Sequence, residues 1–392
     1  MSRPPFPSGW YRIPLNHSNL TLANTLPVGQ SFLWLRHALT STSPDNPTEE
    51  FSRAVDNPPR VVCLRQSQDH LYYAAVHPND HAASTDTEIG TTRKWIDDYF
   101  HLQAFPDLEG MYEDWRTRDP DLFGKVEVNE RAVGVRVLRQ DPWECLIAFI
   151  TSTNNHIPRI TSLLHRFSQT FSPPLLTLQN PDDEGSTTYH LFPPAAALPI
   201  QLESTLRSMG FGYRASFIES TLQSLREEFK EEVEAGLLAC RGQEIDSVRE
   251  RLVALKGVGR KVADCVMLMC MDKPSLIPID THLTAIAARH PAFPSRLRNK
   301  PMSRQVYDET QQFLLDKWGP MGGWCQAVMF AADLPEPKPK VKIVKTKIES
   351  TVTVKRKGED VSPTFNLKRT RSATRLEFKK TIVKEGEVKM EG

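Results

Sequence analysis

The stretch Leu255-Lys256-Gly257-Val258-Gly259-Arg260-Lys261-Val262-Ala263-Asp264-Cys265 constrains the fold more than any other part of the chain. Residues 245–255 before the glycines and 261–271 after them both read as helices, so Gly257 and Gly259 stand at a tight corner between two helices. Glycines permit backbone torsions that side chains forbid. Such a corner can turn backbone N–H groups at a helix N-terminus toward a phosphate, and Lys256 and Arg260 would add charge there. Its carbonyls could also hold a monovalent cation. Taken alone, Gly-x-Gly is more often an ordinary helix–turn–helix corner with a glycine C-cap. The residues downstream of the corner shift that balance.

Lys261 falls on the first turn of the second helix, and residues 262–271 after it are almost wholly apolar. A helix this apolar is buried. An ammonium on it, beside the positive helix end, is disfavoured by desolvation and by the dipole. A neutral amine is a nucleophile that forms Schiff bases with sugar aldehydes. Nineteen residues on comes Asp280, within Pro278-Ile279-Asp280-Thr281-His282. Asp280 sits where an N-cap should precede a helix beginning at Thr281, and capping N–H groups keep a carboxylate ionised. An ionised carboxylate beneath a sugar is what an oxocarbenium-like transition state requires. A plain surface lysine and a plain cap are the commoner readings of each residue alone. Their joint occurrence around a Gly-x-Gly corner favours chemistry.

The rest of the chain supplies the frame. Residues 1 to about 100 carry short β-type runs at 31–35, 60–65 and 71–77, separated by polar, Pro-rich spacers. From Asp141 the texture becomes helical. Asp141-Pro142 is an N-cap followed by Pro, leading into an apolar run, and further helical stretches cover 161–171, 216–235, 281–289 and 303–318. Ser303 is a candidate N-cap, and Gly319-Pro320 a stop. The fold class expected is α+β: an N-terminal antiparallel sheet domain (1–140) packed on a mainly helical region (141–335) that holds the helix-hairpin-helix at about 245–271. The net charge of +1 conceals an asymmetry. Residues 336–392 hold 16 Lys/Arg and 8 Asp/Glu, so the body is net acidic and the tail strongly basic. That tail is expected to be disordered, with basic clusters that read as a nuclear-import signal and a weak DNA tether. No apolar run approaches the roughly 18–20 residues of a membrane span. The six cysteines are dispersed without a CxxC pair, which suits a reducing compartment and argues against a zinc site or disulfide framework.

Together these segments resemble the helix-hairpin-helix, Gly-Pro-Asp base-excision DNA glycosylases, and more narrowly the eukaryotic 8-oxoguanine DNA glycosylases. The resemblance spans about residues 10–335. It rests on Pro27-Val28-Gly29-Gln30-Ser31-Phe32-Leu33-Trp34, Arg139-Gln140-Asp141-Pro142-Trp143-Glu144-Cys145-Leu146, Ser152-Thr153-Asn154-Asn155, Gly210-Phe211-Gly212-Tyr213-Arg214-Ala215 and the hairpin with Asp280. It closes with Trp318-Gly319-Pro320, Gly323-Trp324-Cys325-Gln326-Ala327-Val328 and Phe330-Ala331-Ala332-Asp333-Leu334.

The resemblance implies a role for each matching residue. Lys261 would be the Schiff-base nucleophile and Asp280 the assisting carboxylate. Asn154 would fill the space left by the flipped base, Arg159 and Arg214 would touch the unpaired cytosine, and Tyr213 would wedge beside it. Gly29 would accept the N7 proton that only oxidised guanine carries, and Gln326 would read the Watson–Crick edge. Phe330 and Cys265 would sandwich the base, Pro278 and Met269 would line its pocket, and His282, with the Gly257–Gly259 hairpin, would meet backbone phosphates. These roles suit a flipped base, which needs apolar faces and a few polar contacts. A site built around one hydrogen bond rejects the base that leaves it unpaired.

Two features depart from the family pattern: His156 follows Asn154-Asn155, and the spacer between Ser41 and Asn57 is expanded. Only Cys325 follows Asp280, which excludes a four-cysteine iron–sulfur cluster there. The expectation is therefore a monomeric nuclear enzyme, with a mitochondrial form possible. It would act on double-stranded DNA containing oxidised guanine, cleave the glycosidic bond and then the abasic strand by β-elimination, and need no cofactor or metal and no membrane. The alternatives are a hairpin glycosylase for another damaged base and a non-catalytic DNA-binding module. Phe330 and Met269 as plain core, Asn154 as a C-cap and Gln326 as a solvated helix residue are the corresponding bland readings.

Overall fold

A computed structural model describes residues 2–40, 46–126 and 131–334. The expected basic tail lies outside the described residues. The described residues pack as a single unit.

Five strands form an antiparallel sheet: β1 (Tyr11–Pro14), β2 (Leu35–Ala38), β3 (Glu49–Val55), β4 (Arg60–Gln66) and β5 (His70–Val76), in the order β1-β5-β4-β3-β2. A short helix, α1 (Leu22–Thr25), lies between β1 and β2. Side chains alternate across the sheet, so the central strand β4 serves two cores. Val62 and Leu64 join Phe51, Leu71 and Tyr73 on the face that meets helices. Val61 and Cys63 join Ala74 on the opposite face, under Leu176, Leu178 and Tyr189. The last three belong to a two-stranded hairpin, β6 (Pro174–Gln179) and β7 (Ser186–His190), from within the mainly helical half. That hairpin explains why residues 61–64 read as a continuous apolar run: both faces of the strand are covered.

Three helices follow the sheet: α2 (Asp80–Ile89), α3 (Thr91–Tyr99) and α4 (Leu108–Arg118). The helical half contains α5 (Pro142–Ser152), α6 (Ile157–Phe171), α7 (Glu203–Ser208), α8 (Arg214–Phe229), α9 (Val233–Ala239), α10 (Ile245–Ala254), α11 (Arg260–Cys270), α12 (Thr281–Ala287), α13 (Arg304–Trp318) and α14 (Gly322–Asp333). Asp141 caps α5 by accepting from Glu144 N–H at 2.9 Å, and Ser303 caps α13 through Val306 N–H. Helix α11 packs on α5 and α10 inside the largest core cluster.

The structure corrects several expectations. Residues 31–34 are not a strand; Phe32, Leu33 and Trp34 enter the core as irregular chain before β2. Strand β3 falls within the stretch read as an expanded spacer. Its polar residues hid it. Glu50 is fully buried yet pairs with Arg65 at 2.8 Å and with Arg3, and Arg53 pairs with Glu144 at 2.6 Å. Helices α2–α4 and the β6–β7 hairpin carry no expectation from sequence. The single helix expected over 216–235 is broken at Lys230, where φ is 58°, into α8 and α9.

Candidate active site

The corner between α10 and α11 is a compact turn. Val258 N–H donates to Leu255 O at 3.1 Å, and the Thr221 hydroxyl of α8 donates to Lys256 O at 3.1 Å. Of its two glycines, only Gly257 needs to be one. Its φ is +86°, and a Cβ there would lie 2.5 Å from the Phe217 ring. Gly259, the N-cap of α11, has φ −88° and ψ 178°, which any residue adopts, and a Cβ on it would meet nothing within 4 Å. The expectation that both glycines adopt torsions forbidden to side chains therefore holds for Gly257 alone. Gly259 leaves open space at the start of α11.

On the first turn of α11, Lys261 enters a pocket. Val28, Gly29, Gln30, Phe149, Lys261, Cys265, Met269, Pro278, Asp280, Gln326, Ala327 and Phe330 line it. All eight residues assigned from sequence to catalysis or to gripping the base are in that lining. Two helices and two irregular segments deliver them. Helix α11 presents Lys261, Cys265 and Met269 at the four-residue spacing of one helix face. The segment before α12 presents Pro278 and Asp280, and α14 presents Gln326 and Phe330. Helix α14 approaches closely because Gly323 has no side chain: a Cβ there would collide with Leu276 O, and the Gly323 N–H donates to Pro274 O at 2.9 Å. The loop bearing Gly29 is tied down by Gln30, whose side chain donates to Arg136 O at 2.9 Å and accepts from Leu138 N–H at 3.1 Å.

The local chemistry is sharply divided. Lys261 is half-buried, with Nζ 5.4 Å from the centroid of the Phe149 ring on α5. Asp280 caps α12 as expected, its carboxylate accepting from Leu283 N–H at 2.8 Å. The Cys265 thiol is pushed up to about 11 by burial, against the opposing pull of neighbouring Lys261, so it stays protonated and serves as a soft apolar face. Gln326 is 9% exposed and its Oε1 has no hydrogen-bond partner in the described structure. Orphaned buried amide oxygens cost on the order of 1–3 kcal/mol, so this one stands ready for a donor from outside the chain.

The remaining predicted residues do not line the pocket. Asn154, with φ 46°, follows α5 in a turn that Arg214 holds from α8. The Arg214 guanidinium donates to Thr153 O at 2.8 Å and Asn154 O at 2.7 Å and lies 4.6 Å over the Tyr213 ring. Arg214 is only 3% exposed, whereas Tyr213 is 43% exposed and Arg159 is exposed, donating to Gly210 O at 3.1 Å. His282 sits on the first turn of α12, 3.1 Å from the Asp333 carboxylate and edge-on to Phe330 at 5.2 Å. Phe149 was not singled out from sequence: it lies in an apolar helix where nothing separates a pocket wall from core. Among the described residues no three His, Cys, Asp or Glu side chains converge as a metal site, and no helix is long and apolar enough to cross a membrane.

Known proteins resemble this chain in sequence and fold. The family model for the 8-oxoguanine DNA glycosylase N-terminal domain matches residues 12–146. The N-glycosylase/DNA lyase OGG1 of Arabidopsis thaliana is 33% identical over 333 residues, covering 84% of this chain and 81% of that protein. The N-glycosylase/DNA lyase of Saccharomyces cerevisiae is 30% identical over 352 residues, covering 82% and 86%. The solved structure of MBOgg1 in complex with a low-affinity DNA ligand superposes with a TM-score of 0.62 at 25% identity, covering 83% of this chain and 95% of that one. The apo 8-oxoguanine glycosylase/lyase of Clostridium acetobutylicum, 24% identical, matches in fold with a TM-score of 0.62 over 83% of this chain and 96% of that one. A sheet half matched by the family model, a lysine and a carboxylate on one pocket and similarity to two curated enzymes over most of their length agree: the chain belongs to the 8-oxoguanine DNA glycosylase family and is an N-glycosylase with DNA-lyase activity.

Proposed function

We propose that this enzyme excises 8-oxoguanine lying opposite cytosine in duplex DNA and then nicks the abasic strand, with Lys261 as nucleophile. The observation that carries the reading is the pocket itself. It joins one amine, one capped carboxylate, apolar faces and an unpartnered amide oxygen. The base would be flipped between the Cys265 and Phe330 faces, with Met269 and Pro278 at its edges. The unpaired Gln326 amide would take the Watson–Crick edge, and the Gly29 carbonyl would accept the N7 proton peculiar to the oxidised base.

The Lys261 Nζ lone pair would attack C1′ as the glycosidic bond breaks and the base departs with the bonding pair. Asp280, its carboxylate oriented by the α12 cap, would stabilise the positive charge developing on the sugar. Ring opening then gives a Schiff base, whose iminium acidifies the C2′ proton. Its loss expels the 3′ phosphate by β-elimination. Asn154, Arg159, Tyr213 and Arg214 would hold the gap and the orphaned cytosine, and Gly257, Gly259 and His282 the phosphates. The enzyme would act as a monomer, and the basic clusters in 336–392 would direct it to the nucleus and tether it to DNA. Import of a fluorescent fusion carrying only those residues tests the address.

Borohydride trapping tests the chemistry. Incubation with a duplex carrying one 8-oxoguanine opposite cytosine should yield a covalent protein–DNA adduct, which Lys261→Gln should lose entirely. Preferential trapping on an oxidised pyrimidine or alkylated purine duplex, or an undiminished adduct with Lys261→Gln, refutes the assignment.

A further inference from the structure

The apolar helix α11 contains one residue that burial should exclude. Asp264 is 0% exposed, one turn after Lys261 and adjacent to Cys265. A buried carboxylate is costly unless several donors serve it. Here the Arg249 guanidinium of α10 approaches at 3.1 Å, the Tyr307 hydroxyl donates at 2.7 Å and the Gln311 amide donates at 2.7 Å, both from α13. Arg249 balances the charge of the buried carboxylate. Burial, with Asp264 beside it, raises the Tyr307 hydroxyl, which therefore keeps its proton.

The two α13 groups also reach past Asp264. The Tyr307 hydroxyl oxygen accepts from Ile279 N–H at 3.2 Å, and the Gln311 amide donates a second bond to Ile277 O at 2.8 Å. Those are the two backbone groups flanking Pro278. Residues 276–280 belong to no helix or strand, and Pro278 has no N–H to lend a ladder. Leu276 N–H donates to Lys273 O at 3.1 Å and Asp280 O accepts from Thr284 N–H at 2.9 Å, so between these two backbone anchors the side chains of α13 hold residues 277 and 279, and Asp280 is the next residue. One buried carboxylate on the Lys261 helix is therefore joined, through two relays, to the segment that leads into Asp280.

We infer that Asp264, Tyr307 and Gln311 are positioning residues that fix the spacing between Lys261 and Asp280. This rests on the Proposed function for the roles of those two groups. For stability alone, an apolar cluster of similar volume would serve as well as the buried ion pair. Placement of reacting groups is a different demand, since a misplacement of about 1 Å can cost around 100-fold in rate.

Asp264→Ala would strand the Arg249 charge and risks misfolding, so the test uses Tyr307→Phe and Gln311→Met, which cut the relays one at a time. Single-turnover excision of 8-oxoguanine, borohydride trapping on a pre-formed abasic duplex, DNA affinity by fluorescence anisotropy and melting temperature are measured for each. The expected result is that excision and trapping slow by at least about tenfold while DNA affinity stays at the wild-type value. Smaller slowing with a lowered melting temperature overturns the inference and leaves a purely structural cluster. An equal loss of DNA affinity also overturns it. Absence of any wild-type adduct, or its persistence in Lys261→Gln, instead fails the function assignment, and this inference falls with it.

Discussion

Gly257→Ala and Gly259→Ala form a matched pair whose outcomes the backbone separates. At Gly257 the chain has φ +86°, a region that costs an L-residue roughly 1–2 kcal/mol. The added Cβ would lie 2.5 Å from Phe217 Cγ and 2.6 Å from its Cβ, too near the α8 backbone for a simple rotamer change. Overpacking of this kind costs about 1–3 kcal/mol. The alanine recovers about 0.4–1 kcal/mol by restricting the unfolded chain, leaving a net loss of about 2–4 kcal/mol. That is a large share of the roughly 5–15 kcal/mol that stabilises a typical domain. Gly259→Ala has ordinary torsions and open space, so its stability should stay within about 0.5 kcal/mol of wild type. Its methyl would nonetheless stand where a phosphate would approach the α11 N-terminus, and DNA affinity should fall. Urea denaturation followed by tryptophan fluorescence, with anisotropy on a labelled duplex, measures both quantities. A Gly257→Ala protein as stable as wild type, or a Gly259→Ala protein equally destabilised, would refute the reasoning.

The site and the core yield three more expected outcomes. Asp280→Asn keeps a side chain able to cap α12, so it should melt near wild type, whereas Asp280→Ala should lose about 1 kcal/mol; both should lose excision by about 100-fold or more, and an Asn variant with more than a tenth of the wild-type rate would contradict the charge argument. Gln326→Met removes an unpartnered buried oxygen, so it should gain up to about 1 kcal/mol in urea while excising 8-oxoguanine more slowly, a sign reversal that a plain core residue would not show. Burial lowers His165 to about 4, so the folded state binds fewer protons than the unfolded chain between pH 4 and the ordinary value near 6.5. The stability His165 contributes is complete above 6.5 and drains away as pH falls toward 4, by about 2 kcal/mol at pH 5; denaturation at pH 7 and pH 5 should show a smaller drop in His165→Gln than in wild type.

What could be read from the sequence was whatever local physics decides. The corner at Gly257, the cap at Asp280, the Asp141-Pro142 start of α5 and the Ser303 start of α13 depend on a few neighbouring residues, and each stands where periodicity and capping chemistry put it. The four-residue spacing of Lys261, Cys265 and Met269 likewise fixes a common helix face before any partner is known. Tertiary structure decided everything that needs a partner distant in sequence. Strand β3 looks like loop until Glu50 meets Arg65 and Arg53 meets Glu144, because a polar strand is buried only when charges from elsewhere neutralise it. Phe149, the β6–β7 cover on the sheet and the bonds from Asp264 through α13 to residues 277 and 279 carry no local signature. A side chain's burial and its hydrogen bonds are properties of the packed pair, so one stretch of sequence cannot state them in advance.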